Sequence, residues 1–288
     1  MTPIYEIQSD VLTYLNEWSD FIWSLKLEET YGFGQDKDFK AQGGKFYREN
    51  RSEYSTSKNC LESMIYDTHD GFPPDSMGYD FNQMARWMQH ERFKDTELAN
   101  KCLEKSKWLD STLGNYMGSR FCALKMWYPT DGYIAWHTNW NVPGYNILMT
   151  YNPEGDGYFR FVDPSKATGH APTGKNEKDT VSLEDSIVTI PDKPGWSMKV
   201  GYYGKKEEHN KILWHSAYSR SPRINLGYVV FDVRLWKNMV EELTGEEFQW
   251  PIAELDRSKI EQFKYEGSIV GGADYVERPM IREKFEAK

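Results

Sequence analysis

Between residues 121 and 232 the sequence breaks into short apolar and aromatic runs, beginning with "FCALKMWY", divided by Gly, Pro, Asn and Asp. Runs this short, rich in aromatic and β-branched residues and closed by turn formers, predict strands rather than helices, which need longer periodic stretches. They lie near 121–128, 133–138, 145–151, 157–162, 187–190, 196–202, 212–216 and 224–232, with "NPEGDG" (Asn152 to Gly157) reading as a hairpin turn. So many strands within about 110 residues create edges that must be paired or covered, and a jelly roll or barrel does this. The polar stretch 164–184 is too long for an ordinary connection and is either mobile or a lid over a site.

The flanks have a different period. Leu12, Leu15, Trp18, Phe21, Ile22 and Leu25 recur at helical spacing, which predicts an amphipathic helix over 10–30 with Asp10 as its N-cap. Residues 31–60 are polar and glycine-containing. From 79 to 112 a helical pattern returns through Phe81, Met84, Trp87 and Met88 and continues near Leu98, Cys102 and Leu103. After Arg234, "RLWKNMVEELTG" reads as a helix ended by Gly245, with more helix near 252–265. No linker-like shift of composition and no internal repeat divides these parts. The chain is therefore expected to be one α+β domain over 1–288: mainly helical support in 1–119, a jelly-roll core in 120–233, and a helical C-terminal tail in 234–288.

Composition narrows the function classes. With 11 Trp, 19 Tyr and 14 Phe, much of the packing falls to rings whose polar tips need partners, which fits a folded chain. A net charge of -9 and a pI near 5.3 disfavour nucleic acid or an anionic membrane as a general partner, while leaving room for a local basic pocket that takes a small dianion. Cys60, Cys102 and Cys122, without a Cys-x-x-Cys, point to neither a disulfide framework nor a thiolate zinc site and fit a reducing compartment. "MTPIYEIQSDVL" lacks the basic start and apolar run of a signal peptide, and no window approaches ~20 uninterrupted apolar residues. A soluble, cytoplasmic protein without membrane association is expected.

Candidate chemistry concentrates in "AWHTNWN", Ala135 to Asn141. Residues i and i+2 of a strand share a face, so His137 and Asn139 would present an imidazole and a carboxamide side by side. A metal needs a second imidazole, and His215 in "ILWHSAYS" is the best candidate because it too stands on an aromatic-rich strand. His209 is separated from His215 by ~20 Å of extended chain and cannot easily share a metal with it. His170 falls in the polar loop, and His69 and His90 in the helical part. Arg223 opens the next strand in "SRSPRINLGYVVF"; buried among aromatics it needs an anion, whether a ligand carboxylate or phosphate or a structural ion-pair partner.

Together these pieces resemble the 2-oxoglutarate- and Fe(II)-dependent oxygenases, especially the prolyl-hydroxylase-like branch, over about residues 120 to 233. "YPTDGYIAWHTN" supplies Tyr128, Gly132, His137 and Asn139 in the family's order of Tyr, glycine turn and His-x-Asp. "ILMTYNPEGDGYFRFVDP" is similar to the family's hairpin, "IPDKPGWSMKVGYY" to its Pro-Gly step, and "WHSAYSRSPRINLGYVVFD" to its closing His and Arg. The resemblance implies a double-stranded β-helix, the cupin-like jelly roll, braced by N- and C-terminal helices. It implies Fe(II) held by His137, His215 and the third position, Asn139, and 2-oxoglutarate bound with its distal carboxylate on Arg223 and Tyr128 nearby. The implied activity is that of a dioxygenase in which His137, His215 and Arg223 serve catalysis. It would hydroxylate a peptide side chain or small metabolite and release succinate and CO2.

Asn139 departs from the family, which has Asp or Glu there. An amide oxygen coordinates without charge and holds Fe(II) more weakly than a carboxylate. Three readings stay open: Asn139 is a weak third ligand whose missing charge the dianionic cosubstrate supplies; Asp131, Asp156 or another carboxylate replaces it; or the site is metal-free. The last corresponds to a non-catalytic jelly-roll relative that takes its ligand through an aromatic mouth near Trp136, Trp140 and Trp214. A jelly-roll metalloenzyme of another kind, such as an isomerase, is a further alternative.

Overall fold

A computed structural model describes residues 4–34, 51–66, 73–90, 93–114, 116, 124–139, 144–163, 186–203, 213–230 and 232–247. In chain order these form α1 (Ser9–Ser24), α2 (Leu27–Tyr31), α3 (Arg51–Ser55), α4 (Lys58–Tyr66), β1 (Ser76–Met77), β2 (Tyr79–Asp80), α5 (Phe81–Met88) and α6 (Thr96–Leu113). The strands β3 (Leu124–Tyr128), β4 (Tyr133–His137), β5 (Gly144–Asn152), β6 (Gly157–Val162), β7 (Ile187–Pro191), β8 (Gly195–Tyr203), β9 (His215–Ser219) and β10 (Arg223–Val230) follow, and α7 (Val233–Thr244) closes the described chain. The expected loop 164–184 and helix near 252–265 lie outside the described residues.

The N-terminal helical stripe is divided. α1 buries Val11, Leu15, Trp18 and Ile22, and stops because Lys26 takes a left-handed φ of 47°, after which α2 starts anew. Asp10 lies in the first turn and Gln8 is the N-cap, so the expected Asp10 cap is not formed. The pattern over 79–112 is likewise two helices. Asp80 caps α5 by accepting from the Gln83 N–H, and Asp95 caps α6 by accepting from the Leu98 N–H. Within the polar, glycine-containing stretch 31–60, α3 and the start of α4 form; α4 buries Cys60, Leu61 and Met64, too few apolar positions to mark a helix by periodicity. α7 begins at the Asp232 cap and ends at Gly245, whose φ of 73° favours glycine, as expected.

Two antiparallel five-stranded sheets make up the rest, in the orders β2-β3-β10-β5-β8 and β1-β4-β9-β6-β7. The strand expectations hold to within a few residues, except that the run placed at 212–216 pairs over His215–Ser219. From β3 to β10, consecutive strands fall in different sheets everywhere but at β6–β7. "NPEGDG" is therefore not a hairpin. Its turn chemistry is present, with Asn152 Oδ1 accepting from the Glu154 and Gly155 N–H groups at 3.1 and 2.9 Å. It passes the chain from one sheet to the other because β5 and β6 each find partners elsewhere.

Alternation divides the first sheet into two unlike faces. Trp127, Ile147, Met149, Met198, Val200, Leu226 and Tyr228 face one way and join Val11, Leu15, Trp18, Phe81 and Trp236 of the helices in the largest core. Each buried aliphatic or aromatic side chain there contributes roughly 1.5–3 kcal/mol. The opposite parity carries Tyr128, Asn146, Thr150, Asn152, Ser197, Lys199, Arg223 and Asn225, all buried. That polar face looks toward the second sheet, since Leu148 and Tyr203 of the same parity pack with Phe159, Phe161, Leu213 and Ala217. Burying so many polar groups between two sheets costs stability unless each is partnered. Among the described residues, no helix is long and apolar enough to cross a membrane.

Candidate functional site

β4 and β9 run antiparallel with Tyr133 opposite Tyr218 and Ile134 opposite Ala217. Regular pairing would next bring Trp136 to His215, but the register shifts and His137 takes that place. β4 has gained one residue, a β-bulge, between Ile134 and His137. Ile134 and Ala217 belong to the cluster between the sheets, so the bulge delivers His137 to the inner face beside His215. Trp136 turns outward, where its Nε1 donates to the Ser57 carbonyl at 2.8 Å.

The two imidazole centroids are 4.0 Å apart with the rings tilted by 50°. His137 Nδ1 lies 2.8 Å from Ala135 O, and His215 Nδ1 lies 2.9 Å from Leu213 O. A carbonyl only accepts, so each Nδ1 carries the hydrogen and a neutral ring keeps its lone pair on Nε2. This arrangement fixes tautomer and orientation in metal-ligating histidines. Burial pushes His137 down to about 4, against the backbone groups of Ala135 and His215, which favour protonation. Burial, and then His137 beside it, holds His215 well below the ordinary range, with Leu213 O opposing. Tyr203 stacks on His215 with centroids 4.8 Å apart, and burial pushes its hydroxyl up. Near neutral pH both rings are uncharged and offer lone pairs.

Asn139 lies two residues past the end of β4 and is half-buried. The alternation that would place it beside His137 therefore stops at His137. Asp131 and Asp156 sit at the opposite end of the second sheet: Asp131 precedes β4 and accepts from Tyr218 Oη at 2.7 Å, and Asp156 precedes β6 and accepts from Ser221 Oγ at 2.6 Å. Neither replaces a ligand at the histidine pair. Among the described residues no group of three or more His, Cys, Asp or Glu comes together. His90 is exposed at the end of α5, while His69, His170 and His209 lie outside the described residues.

Arg223 opens β10 opposite Tyr128, and its side chain is 1 % exposed. The anion it requires is supplied by the protein. Arg223 Nε is 3.0 Å from Asp192 Oδ2, a charge contact not aligned as a hydrogen bond, and Nη2 donates to Oδ1 at 3.2 Å. Lys199 Nζ donates to the same Oδ1 at 3.0 Å. Room for Asp192 depends on Gly157, where a Cβ would fall 2.6 Å from Asp192 Oδ2. Desolvation would raise the Asp192 carboxyl, but Arg223 and Lys199 outweigh it and hold it below the usual carboxylate range. Burial presses the Lys199 ammonium down against the pull of Asp192. Tyr128 is pushed up by burial, with Arg223 and Asn225 opposing.

The predicted residues thus gather in two places: His137 with His215, and Tyr128 with Arg223. Asp192 and Lys199 were not anticipated. Lys199 was legible in principle, since Ser197 and Lys199 alternate with Trp196, Met198 and Val200 and a lysine of that parity must face inward. Asp192, in a turn, gave no such signal. The expected aromatic mouth is not formed by Trp136 and Trp214, which are buried against Cys60, Leu61 and Met64 of α4; Trp140 lies outside the described residues. No family model, no curated protein and no solved structure matches the chain.

Proposed function

We propose that this chain is a non-haem Fe(II)- and 2-oxoglutarate-dependent dioxygenase that hydroxylates a peptide side chain or a small metabolite and releases succinate and CO2. The observation that carries the reading is the cross-strand pair His137 and His215, buried, neutral, and fixed through Nδ1 so that Nε2 is the lone-pair nitrogen. The strand orders β3-β10-β5-β8 and β4-β9-β6-β7, with the chain changing sheets at nearly every turn, support a jelly-roll, double-stranded β-helix architecture. In that architecture His137 closes β4, His215 opens β9 and Arg223 opens β10.

The residues fit the groups the reading requires. Two imidazoles suit Fe(II); Asn139, two residues past the end of β4 and not aligned with His137 by strand alternation, is the proposed third ligand, an amide that leaves the site less negative than a carboxylate would. Buried hydroxyls of Thr150 and Ser197 without partners among the described residues, and the cations Arg223 and Lys199, suit a carboxylate-bearing cosubstrate. Bound there, Fe(II), 2-oxoglutarate and dioxygen supply oxidative decarboxylation coupled to C–H hydroxylation. The chain's own contribution is to hold the imidazoles neutral, to keep water from the buried face, and to orient the keto acid by its carboxylate end.

Anaerobic loading with Fe(II), followed by measurement of succinate release from 2-oxoglutarate, tests the proposal. Turnover by the wild type that disappears in His215→Ala is expected; no turnover by the iron-loaded wild type overturns it. One observation favours a second reading, a ligand-binding relative without catalysis: Arg223 is already paired with Asp192. That reading predicts 2-oxoglutarate binding without metal and without succinate.

A further inference from the structure

The outer face of the second sheet, turned away from His137 and His215, holds a cleft of ≈ 400 Å³ beside α3 and α4. Alternation along β6 sends Phe159 and Phe161 inward to the side of the histidines and Tyr158 and Arg160 outward. Arg160, its ladder neighbour Thr189 on β7 and Tyr158 make the floor, and Glu53, Ser57 and Lys58 make the wall. The volume falls within the range of small-molecule sites, about 300–1,000 Å³.

Hydrogen bonds fix this wall to the sheet. Arg160 Nη1 donates to Thr56 O at 2.8 Å, the Thr56 and Tyr158 hydroxyls share a bond of 2.8 Å, and Trp136 Nε1 donates to Ser57 O at 2.8 Å. The junction of α3 and α4 is thereby tied to β4 and β6, so a ligand entering the cleft need not order it.

The charges of the cleft are kept apart rather than cancelled. The Arg160 guanidinium lies 4.2 Å from the centre of the Tyr158 ring and gives its Nε hydrogen to Thr189 Oγ1 at 3.3 Å. Among the described residues no carboxylate pairs with it, and Nη2 is left to meet one, the group whose planar shape a guanidinium matches. Lys58 is 3.7 Å from Glu62, one turn along α4 and outside the cleft. Glu53 is exposed and, among the described residues, has no ion-pair partner. A guanidinium and a carboxylate that share one small cleft without pairing are complementary to a molecule that carries both charges close together. Ile187, half-buried, adds an apolar wall.

We propose that this cleft binds a free α-amino acid with an apolar side chain, its carboxylate on Arg160, its ammonium on Glu53 and its side chain against Ile187. The assignment does not depend on the oxygenase reading, because the cleft and the histidine pair lie on opposite faces of the second sheet.

Removing one charge at a time, from ligand and from protein, supplies the test. Binding of L-leucine to the full chain is measured by calorimetry beside isocaproate, which lacks the ammonium, and isoamylamine, which lacks the carboxylate, with a thermal melt of each variant. We expect both analogues to bind at least about tenfold more weakly than L-leucine. Glu53→Gln should remove the preference over isocaproate, and Arg160→Gln the preference over isoamylamine. Excess 2-oxoglutarate should not displace the amino acid. Isocaproate binding as tightly as L-leucine overturns the proposal in favour of a plain anion site. Glu53 is exposed and holds no other element in place, so a folded Glu53→Gln that keeps the wild-type selectivity also overturns it, as does displacement of L-leucine by 2-oxoglutarate or a wild type that binds no L-leucine.

Discussion

His137 stands opposite His215 only because β4 carries an additional residue between Ile134 and His137. A one-residue slip in a strand exchanges its two faces, so without the bulge Trp136 would point into the polar interior and His137 into the outer core. The bulge costs a ladder interaction locally, and bulges of this kind gather where a side chain must be re-aimed.

Metal affinity should depend on both imidazoles. In an anaerobic Co(II) titration followed by visible absorption, His137→Gln and His215→Gln are each expected to weaken binding about 100-fold or more, exceeding the losses seen when outer partners of metal ligands are removed. Equal affinity in either variant would place the metal elsewhere.

Asn139 can be tested by restoring charge. Asn139→Asp should tighten Fe(II) or Co(II) binding about tenfold or more, because a carboxylate adds charge to a site with two neutral ligands. No change in affinity or turnover would mean that Asn139 is not a ligand.

Acid should destabilise the metal-free protein through the same pair. His137 and His215 are depressed in the folded state, His137 to about 4, while an unfolded histidine titrates near ~6.5. The unfolded chain therefore takes up protons first as pH falls, and stability is lost below about pH 6.5, for His137 down through about pH 4, by ~1.4 kcal/mol per pH unit for each ring while it alone lags its unfolded counterpart. Urea midpoints measured with a chelator should decline over that window, with a shallower slope in His137→Gln.

Removing the shared carboxylate should harm the fold more than removing one cation. Asp192→Asn strands Lys199 and Arg223 together and is expected to cost ~3–5 kcal/mol, whereas Lys199→Met leaves a complete Arg223–Asp192 pair and should cost well under that. Denaturant unfolding of the metal-free variants checks the order; the opposite ranking would show that the cluster does not depend on Asp192.

Trp136 separates a packing role from a ligand-mouth role. Fully buried against α4, it should cost ~3–5 kcal/mol as Trp136→Ala, while the milder Trp136→Phe leaves 2-oxoglutarate affinity unchanged. A large affinity loss in a folded Trp136→Phe would return it to the site.

Much of this molecule was readable in the sequence because the responsible physics is local. Alternation and turn residues placed the eight main strands and Gly245 marked the end of α7, while the inward parity of Lys199 was legible but not anticipated. His137 and His215 stood out only as a pair on predicted strands, with Arg223 joining them at the start of the next strand. Tertiary structure decided what they meet. The bulge that pairs His137 with His215, the crossing of "NPEGDG" from one sheet to the other, and the capture of Arg223 by Asp192 all depend on contacts between residues far apart in the chain. No period or turn preference encodes such contacts, because they are set by which partner strands win and by the need of each buried charge for a counter-charge within a few ångströms.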